Sequence, residues 1–127
     1  MENEYISFSE APNYPYSDLV VVEGRYLFLS GLVSEDMVTG ELLCGDIAFE
    51  TRQVLTNLKK ILEKYGSDME HVVRMEVILS DFSQRDAMNQ EYIRHFSREH
   101  MPARVCFGGA CLADNCKIEI MATAVKK

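Results

Sequence analysis

Two stretches of the chain carry apolar residues at the spacing of an α-helix with one buried face. In the first, Asp46 to Tyr65, they recur every three or four residues: Ile47, Val54, Leu55, Leu58, Ile61, Leu62 and Tyr65. Asp46 has a side chain that can cap this helix, and Gly66 can end it. The second, Ser83 to Ser97, has apolar residues at four-residue intervals: Met88, Tyr92 and Phe96. The pattern predicts two helices.

Other segments have the composition of β-strands. They are Ser17–Val22, Arg25–Ser30, Val72–Leu79, Arg104–Cys111 and Lys117–Val125. Glu23-Gly24 separates the first two and is typical of a hairpin turn. Ala113-Asp114-Asn115 separates the last two and suits a tight turn. Val33 to Gly45 has no periodicity and predicts a surface loop.

The predicted order is therefore β-β-α-β-α-β-β, an α+β domain over residues 1–127. Each helix can connect parallel strands, and the outer strand pairs can form antiparallel hairpins. One mixed sheet with both helices on one face satisfies this order. The other face then needs a cover, and its apolar residues predict burial against other subunits.

The charge and hydropathy of the chain disfavour some classes of binding partner. The chain has 13 basic and 20 acidic residues and a net charge of -7, which disfavours nucleic acid because nucleic-acid binding depends on Lys and Arg. No apolar run approaches the roughly 18 residues that span a membrane. The N-terminal sequence MENEYISFSE is acidic, unlike a signal peptide. We expect a cytoplasmic protein that binds neither membranes nor nucleic acid.

The four cysteines are Cys44, Cys106, Cys111 and Cys116. They lack the Cys-x-x-Cys spacing of common metal sites and have no histidine placed to complete one. The sequence therefore predicts no metal, and in a reducing compartment such cysteines act as small apolar residues.

Two charged residues lie in predicted strands. Arg104 begins the fourth strand, and Glu119 stands between Ile118 and Ile120 in the fifth. Each of the two could be an ordinary exposed strand residue. On neighbouring hairpin strands, the pair could instead hold a small acid, because a guanidinium binds a carboxylate through two parallel hydrogen bonds.

A series of short segments carries more specific information. In chain order they are Pro15-Tyr16-Ser17, Phe28-Leu29-Ser30-Gly31, Thr39-Gly40-Glu41-Leu42, Gly45-Asp46-Ile47, Thr51 to Leu58 (TRQVLTNL), Val72-Val73-Arg74, Asn89-x-x-Tyr92, Pro102-Ala103-Arg104 and Lys117 to Val125 (KIEIMATAV). This ordered series resembles the signatures of the RidA/YjgF family, and it spans nearly the whole chain.

The resemblance implies a chorismate-mutase-like fold, a homotrimer with clefts between subunits, and cofactor-free hydrolysis of 2-aminoacrylate-type enamines and imines to 2-keto acids and ammonia. It implies that Arg104 binds the substrate carboxylate, while Glu119 and the backbone at Cys106 position the attacking water. The residues implied to line the pocket are Tyr16, Ser30, Gly31 and Asn89.

The chain departs from the usual family pattern near the implied cleft. Leu32 stands where Gln is common, Val105 where Ser is common, and Leu112-Ala113 where Leu-Pro is frequent. These changes predict either an altered side-chain preference or a subgroup with another substrate.

The sequence leaves two other functions open. One is a trimeric, non-catalytic regulatory protein that binds keto acids or amino acids through Arg104; Glu119 favours the enzyme, because binding a carboxylate requires only the arginine. The other is a translation-inhibiting ribonuclease, which the acidic charge disfavours.

Overall fold

The computed structural model describes residues 2–9 and 14–127, which form one mixed six-stranded sheet and two α-helices. The strands, β1 to β6 in chain order, are Glu4–Ile6, Leu19–Val22, Tyr26–Leu29, Val72–Leu79, Ala103–Phe107 and Ile118–Val125. The helices are α1, Ile47–Lys64, and α2, Arg85–Tyr92. The predicted α+β class is confirmed. The sequence pattern missed β1, because three residues are too few to show an alternation.

The boundaries of α1 follow its capping residues. The Asp46 carboxylate accepts a hydrogen bond from the Phe49 N–H at 2.8 Å, and the chain leaves the helix through Gly66 at a φ of 85°. The predicted second helix is confirmed only in its middle part, because 3-10 turns at Phe82–Gln84 and Ile93–His95 flank α2. The three apolar residues that predicted it are nevertheless buried: Met88, Tyr92 and Phe96.

The strand order across the sheet is β1-β2-β3-β6-β4-β5. β4 and β5 are parallel, and the other neighbours are antiparallel. The predicted hairpin between β2 and β3 is confirmed, with Glu23 and Gly24 both at positive φ in its turn.

The predicted hairpin between the last two strands is wrong. β5 pairs only with β4 within the described residues, and β6 lies between β3 and β4. The strand prediction was also too long, because β5 ends at Phe107: Gly108 lies against Phe82, where a Cβ would overlap its neighbour. The ten residues from 108 to 117 then carry the chain past β4 to reach β6.

The two faces of the sheet differ in cover. Both helices pack on one face, where the inward-facing residues of β6 are almost fully buried: Ile118, Ile120, Ala122 and Ala124. This confirms the prediction of two helices on one face. The opposite face, which we call the open face, carries exposed apolar side chains, among them Phe28, Val105 and Phe107. No helix in the described residues is long and apolar enough to cross a membrane.

A buried carboxylate fixes the start of β6. Glu50 on α1 is fully buried, and its oxygens accept hydrogen bonds from the backbone N–H of Lys117 at 2.9 Å and of Gly45 at 3.2 Å. The Lys117 ammonium lies 3.5 Å from the same carboxylate. Glu50 therefore joins α1, the loop before it and the residue that precedes β6.

We expect Glu50→Ala to lower the free energy of unfolding by about 2 kcal/mol, because two backbone donors lose their acceptor. Glu50→Gln should cost less, since its amide oxygen still accepts one of these bonds. Urea denaturation at one fixed protein concentration measures the difference. Glu63→Ala on the same helix is the control, because the ion pair that Glu63 forms with Lys59 is exposed. Equal effects of Glu50→Ala and Glu63→Ala would show that Glu50 does not anchor β6.

Candidate functional site

The residues that the sequence singled out fall into two groups in the structure. Arg104, Asn89 and Cys106 lie together beside α2 at the β5 edge, and we call this group the arginine half. Glu119, Gly31, Ser30 and Tyr16 lie around the start of β6, and we call this group the glutamate half. The strand β4 separates Arg104 from Glu119.

In the arginine half, the guanidinium of Arg104 is held on two sides. Its Nη1 donates a hydrogen bond to Asn89 Oδ1 at 2.7 Å, and its Cζ lies 4.8 Å from the centre of the Tyr92 ring. Arg104 is half-buried, and no carboxylate within the described part of the chain forms an ion pair with it. Cys106 follows on the same face of β5 and packs against the core.

The ring of Tyr92 lies beneath the Arg104 guanidinium in this half. It is 4% exposed, and its hydroxyl has no hydrogen-bond partner among the described residues. Burial raises the pKa of Tyr92 to about 12, although the positive charge of Arg104 acts in the opposite direction. The tyrosine is therefore neutral under any ordinary assay condition.

In the glutamate half, Glu119 points away from the helices and lies directly against Gly31. A Cβ at Gly31 would overlap Oε2 of Glu119, so only glycine allows the carboxylate this position. The neighbouring Ser30 hydroxyl donates to the Ser17 carbonyl at 2.5 Å, which fixes the segment that carries Tyr16. Tyr16 itself stacks on Tyr14 with ring centres 5.2 Å apart.

The glutamate half is strongly acidic. The pKa of Tyr16 is raised, first by burial and then by the neighbouring Tyr14 and three carboxylates, those of Asp18, Glu35 and Glu119. Burial and the nearby charge of Asp18 raise the pKa of Glu35. No sequence pattern had pointed to Asp18 or Glu35. Asp18 follows the Pro15-Tyr16-Ser17 segment directly, whereas Glu35 lies in a loop without a recognisable signal.

A cavity of about 550 Å³ opens beside this half, between the 31–37 loop and α1. Tyr16, Gly31 and Leu32 line it on one side, and Lys60 and Lys64 line it on the other. Arg104, Asn89 and Cys106 do not line it. Glu119 and Ser30 do not line it either, so only Tyr16 and Gly31 of the glutamate half border the cavity.

The two halves cannot serve one small ligand within a single chain. Arg104 pairs in register with the buried Met75 and points to the helix face, whereas Glu119 pairs with Ile78 and points to the open face. They are also two strands apart, about 10 Å across the sheet, and offset along it. The expectation that they lie on neighbouring hairpin strands is wrong, because β6 inserts on the far side of β4.

The cysteines and the acidic residues form no metal site among the described residues: no group of three His, Cys, Asp or Glu side chains there is placed to hold an ion. All four cysteines are free thiols. Burial, followed by the nearby charge of Glu50, raises the pKa of the Cys116 thiol, which keeps it protonated.

Known proteins resemble this chain in sequence over nearly its whole length. The family model described as Endoribonuclease L-PSP matches residues 8–126. A RutC family protein of Pyrococcus horikoshii is 40% identical over 116 residues, covering 91% of this chain and 90% of the relative. The 2-iminobutanoate/2-iminopropanoate deaminase of Homo sapiens is 35% identical over 123 residues, covering 95% of this chain and 88% of the relative.

A solved structure agrees with these sequence matches. It is that of a YjgF-family protein of Neisseria meningitidis, which aligns with a TM-score of 0.83 at 28% identity. The alignment covers 100% of this chain and 97% of the other. Since the family model spans nearly the whole sequence and the fold agrees from end to end, this chain belongs to the RidA/YjgF family.

Proposed function

We propose that this protein hydrolyses 2-imino acids and their enamine tautomers to 2-keto acids and ammonia, without a cofactor. The observation that carries the proposal is the state of Arg104. It is a half-buried cation, held by Asn89 and Tyr92, that has no carboxylate partner among the described residues. Such a guanidinium is suited to bind the carboxylate of a substrate through two parallel hydrogen bonds.

The proposed reaction uses one water molecule. An enamine first gains a proton on its β-carbon and loses one from its nitrogen, which gives the imine. The water oxygen then bonds to the imine carbon, and Glu119 accepts a proton from that water. Glu119 returns this proton to the nitrogen, which gives a carbinolamine. The proton of its new hydroxyl group then passes to the amino group, the carbonyl forms as the carbon–nitrogen bond breaks, and ammonia leaves the keto acid. The backbone at Cys106 helps to position the water, so the thiol itself takes no part.

The separation of the two halves supports a site that is shared between subunits. Glu119 on the open face of one chain would meet Arg104 of the next chain, whose β5 edge covers that open face. A contact between two different surfaces of the same chain closes into a ring when it is repeated. We propose a homotrimer with three such clefts, and the exposed Phe28 and Phe107 support burial of the open face.

Relatives and local geometry support the choice of substrate. The human relative carries the name of an imine deaminase. In this chain Leu32 exchanges two backbone hydrogen bonds with Ile120, at 2.7 and 2.9 Å, so its side chain lies with Ile120 on the helix face, whereas Glu119 points to the open face. Leu32 packs against the core there. We propose that it affects substrate choice only indirectly, through the position of the neighbouring Gly31 against Glu119.

The matching family model is described as an endoribonuclease, but the charges of this chain favour a small acid over RNA. Its net charge is -7, and Asp18, Glu35 and Glu119 surround Tyr16 in the glutamate half. Phosphate backbones bind to clusters of Lys and Arg, and they are repelled by a surface of this kind.

We expect the protein to have three times its chain mass of 14.5 kDa in solution at micromolar concentration. Phe28→Asp should dissociate it, because the substitution places a charge on the open face. Val38→Asp, at a 95% exposed loop position, should leave the oligomer intact. Light scattering after size-exclusion chromatography measures the mass. A monomeric mass for the unmodified protein would contradict the shared site.

Arg104→Lys should leave the oligomer intact but lower imine hydrolysis on the order of 100-fold, because an ammonium does not fix the orientation of the carboxylate. Glu119→Gln should lower kcat more than it weakens binding of 2-oxobutanoate. Imines made in situ by an amino-acid oxidase serve as substrates, and ammonia release is measured. Wild-type rates for Arg104→Lys on every imine would sink the proposal. Tight 2-oxobutanoate binding without any ammonia release would indicate a non-catalytic binder.

Mixing two inactive variants tests directly whether neighbouring chains share a site. When Arg104→Ala and Glu119→Gln are denatured and refolded together, we expect about a quarter of the wild-type activity to return. Random assembly places an intact Arg104 opposite an intact Glu119 at about one interface in four. The same variants mixed after separate refolding are the control and should stay inactive. No recovery after joint refolding, with the oligomer re-formed, would mean that one chain supplies both residues.

A further inference from the structure

The ring of Tyr92 occupies a position in which it can act on the reaction without touching the substrate. Tyr92 and Asn89 stand three residues apart on α2, so both side chains reach the same strand, β5. Asn89 Oδ1 accepts a hydrogen bond from Nη1 of Arg104 at 2.7 Å, and Cζ of the guanidinium lies over the ring of Tyr92, 4.8 Å from its centre. Together they restrain both the rotation and the tilt of the guanidinium.

We propose that Tyr92 is a positioning residue, whose aromatic face holds the Arg104 guanidinium in the plane in which it receives the substrate carboxylate. This inference rests on the proposed function, which it extends from Arg104 to the residue beneath it. A cation is attracted to the electron-rich face of an aromatic ring, and the attraction is stronger where water is excluded. Tyr92 is 4% exposed, so its ring provides such a site.

The hydroxyl group of Tyr92 makes it possible to separate the effect of the aromatic ring from that of a polar contact. Its oxygen is buried and has no hydrogen-bond partner among the described residues, which is an unfavourable state for a polar atom. Arg104 nevertheless lies close enough to this oxygen to lower its pKa, so the contributions of the ring and of the hydroxyl have to be tested separately. A phenylalanine at this position would preserve the ring face and remove the unpaired hydroxyl.

The neighbouring Phe96 supplies a matched control. Its ring centre lies 4.8 Å from that of Tyr92, and it is also buried, at 8% exposure. Among the described cation–ring contacts, Arg104 lies over Tyr92 and not over Phe96. Replacing Phe96 by Leu therefore removes a comparable amount of aromatic packing from the same cluster while it leaves the ring beneath Arg104 in place.

Three variants of the full-length protein test the inference with the oxidase-coupled imine assay. Tyr92→Leu should lower kcat by roughly 10-fold to 100-fold while KM changes much less, because Arg104 keeps its charge but loses its fixed orientation. Tyr92→Phe should retain kcat within about twofold, since the ring face remains. Phe96→Leu should reduce thermal stability about as much as Tyr92→Leu does, with kcat per folded chain unchanged.

A second measurement covers the case in which Tyr92→Leu does not fold. Phenylalanine analogues with one, two and three ring fluorines at position 92 keep the shape of the ring and progressively weaken its attraction for a cation. We expect kcat to fall in steps along this series, and the unfluorinated Tyr92→Phe protein is its reference. A kcat that is independent of fluorination would overturn the inference.

Further outcomes separate this inference from the proposed function. If Arg104→Ala abolishes hydrolysis but Tyr92→Leu lowers kcat no more than Phe96→Leu, the arginine is functional and the positioning role of Tyr92 is wrong. If Tyr92→Phe loses as much activity as Tyr92→Leu, the hydroxyl and not the ring is responsible, and the inference is again wrong. If Arg104→Ala leaves hydrolysis unchanged, the proposed function fails, and the positioning role fails with it.

Discussion

The position of β6 between β3 and β4 determines where every candidate functional residue lies. Glu50 contributes to this position, since its buried carboxylate binds the backbone of Lys117 just before the strand begins. Once β6 is central, its inward residues must fill the space under α1, and small or branched apolar side chains do so. Its alternate residues, which include Glu119, then point to the open face.

The same arrangement keeps the two charges of the candidate site apart. On adjacent strands of a hairpin, Arg104 and Glu119 would pair with each other, and each would lose its capacity to bind a substrate. On opposite faces of the sheet they cannot meet within one chain. The separation leaves Arg104 available to a carboxylate and leaves Glu119 against Gly31, at the cost of requiring a second chain to complete the proposed cleft.

The environments of the two halves are chemically distinct. Arg104 rests on a buried aromatic ring and a neutral amide, which hold a cation without cancelling its charge. Glu119, Asp18 and Glu35 all lie near Tyr16, whose pKa their charges help to raise. In the proposed reaction, the substrate carboxylate binds in the arginine half and the glutamate half accepts a proton from water.

The sequence by itself determined the elements and the candidate residues. Helical periodicity located α1 and the middle of α2, alternation located β4 and β6, and Glu23-Gly24 marked the first hairpin, because these signals depend only on neighbours along the chain. It did not determine that β6 pairs with β3 and β4, and it therefore joined Arg104 and Glu119 wrongly. Strand pairing is decided by which apolar faces pack together across the whole chain, which local patterns do not record. For the same reason, only the tertiary structure showed Tyr92 beneath Arg104 and Glu35 near Tyr16, since these contacts join different segments of the chain.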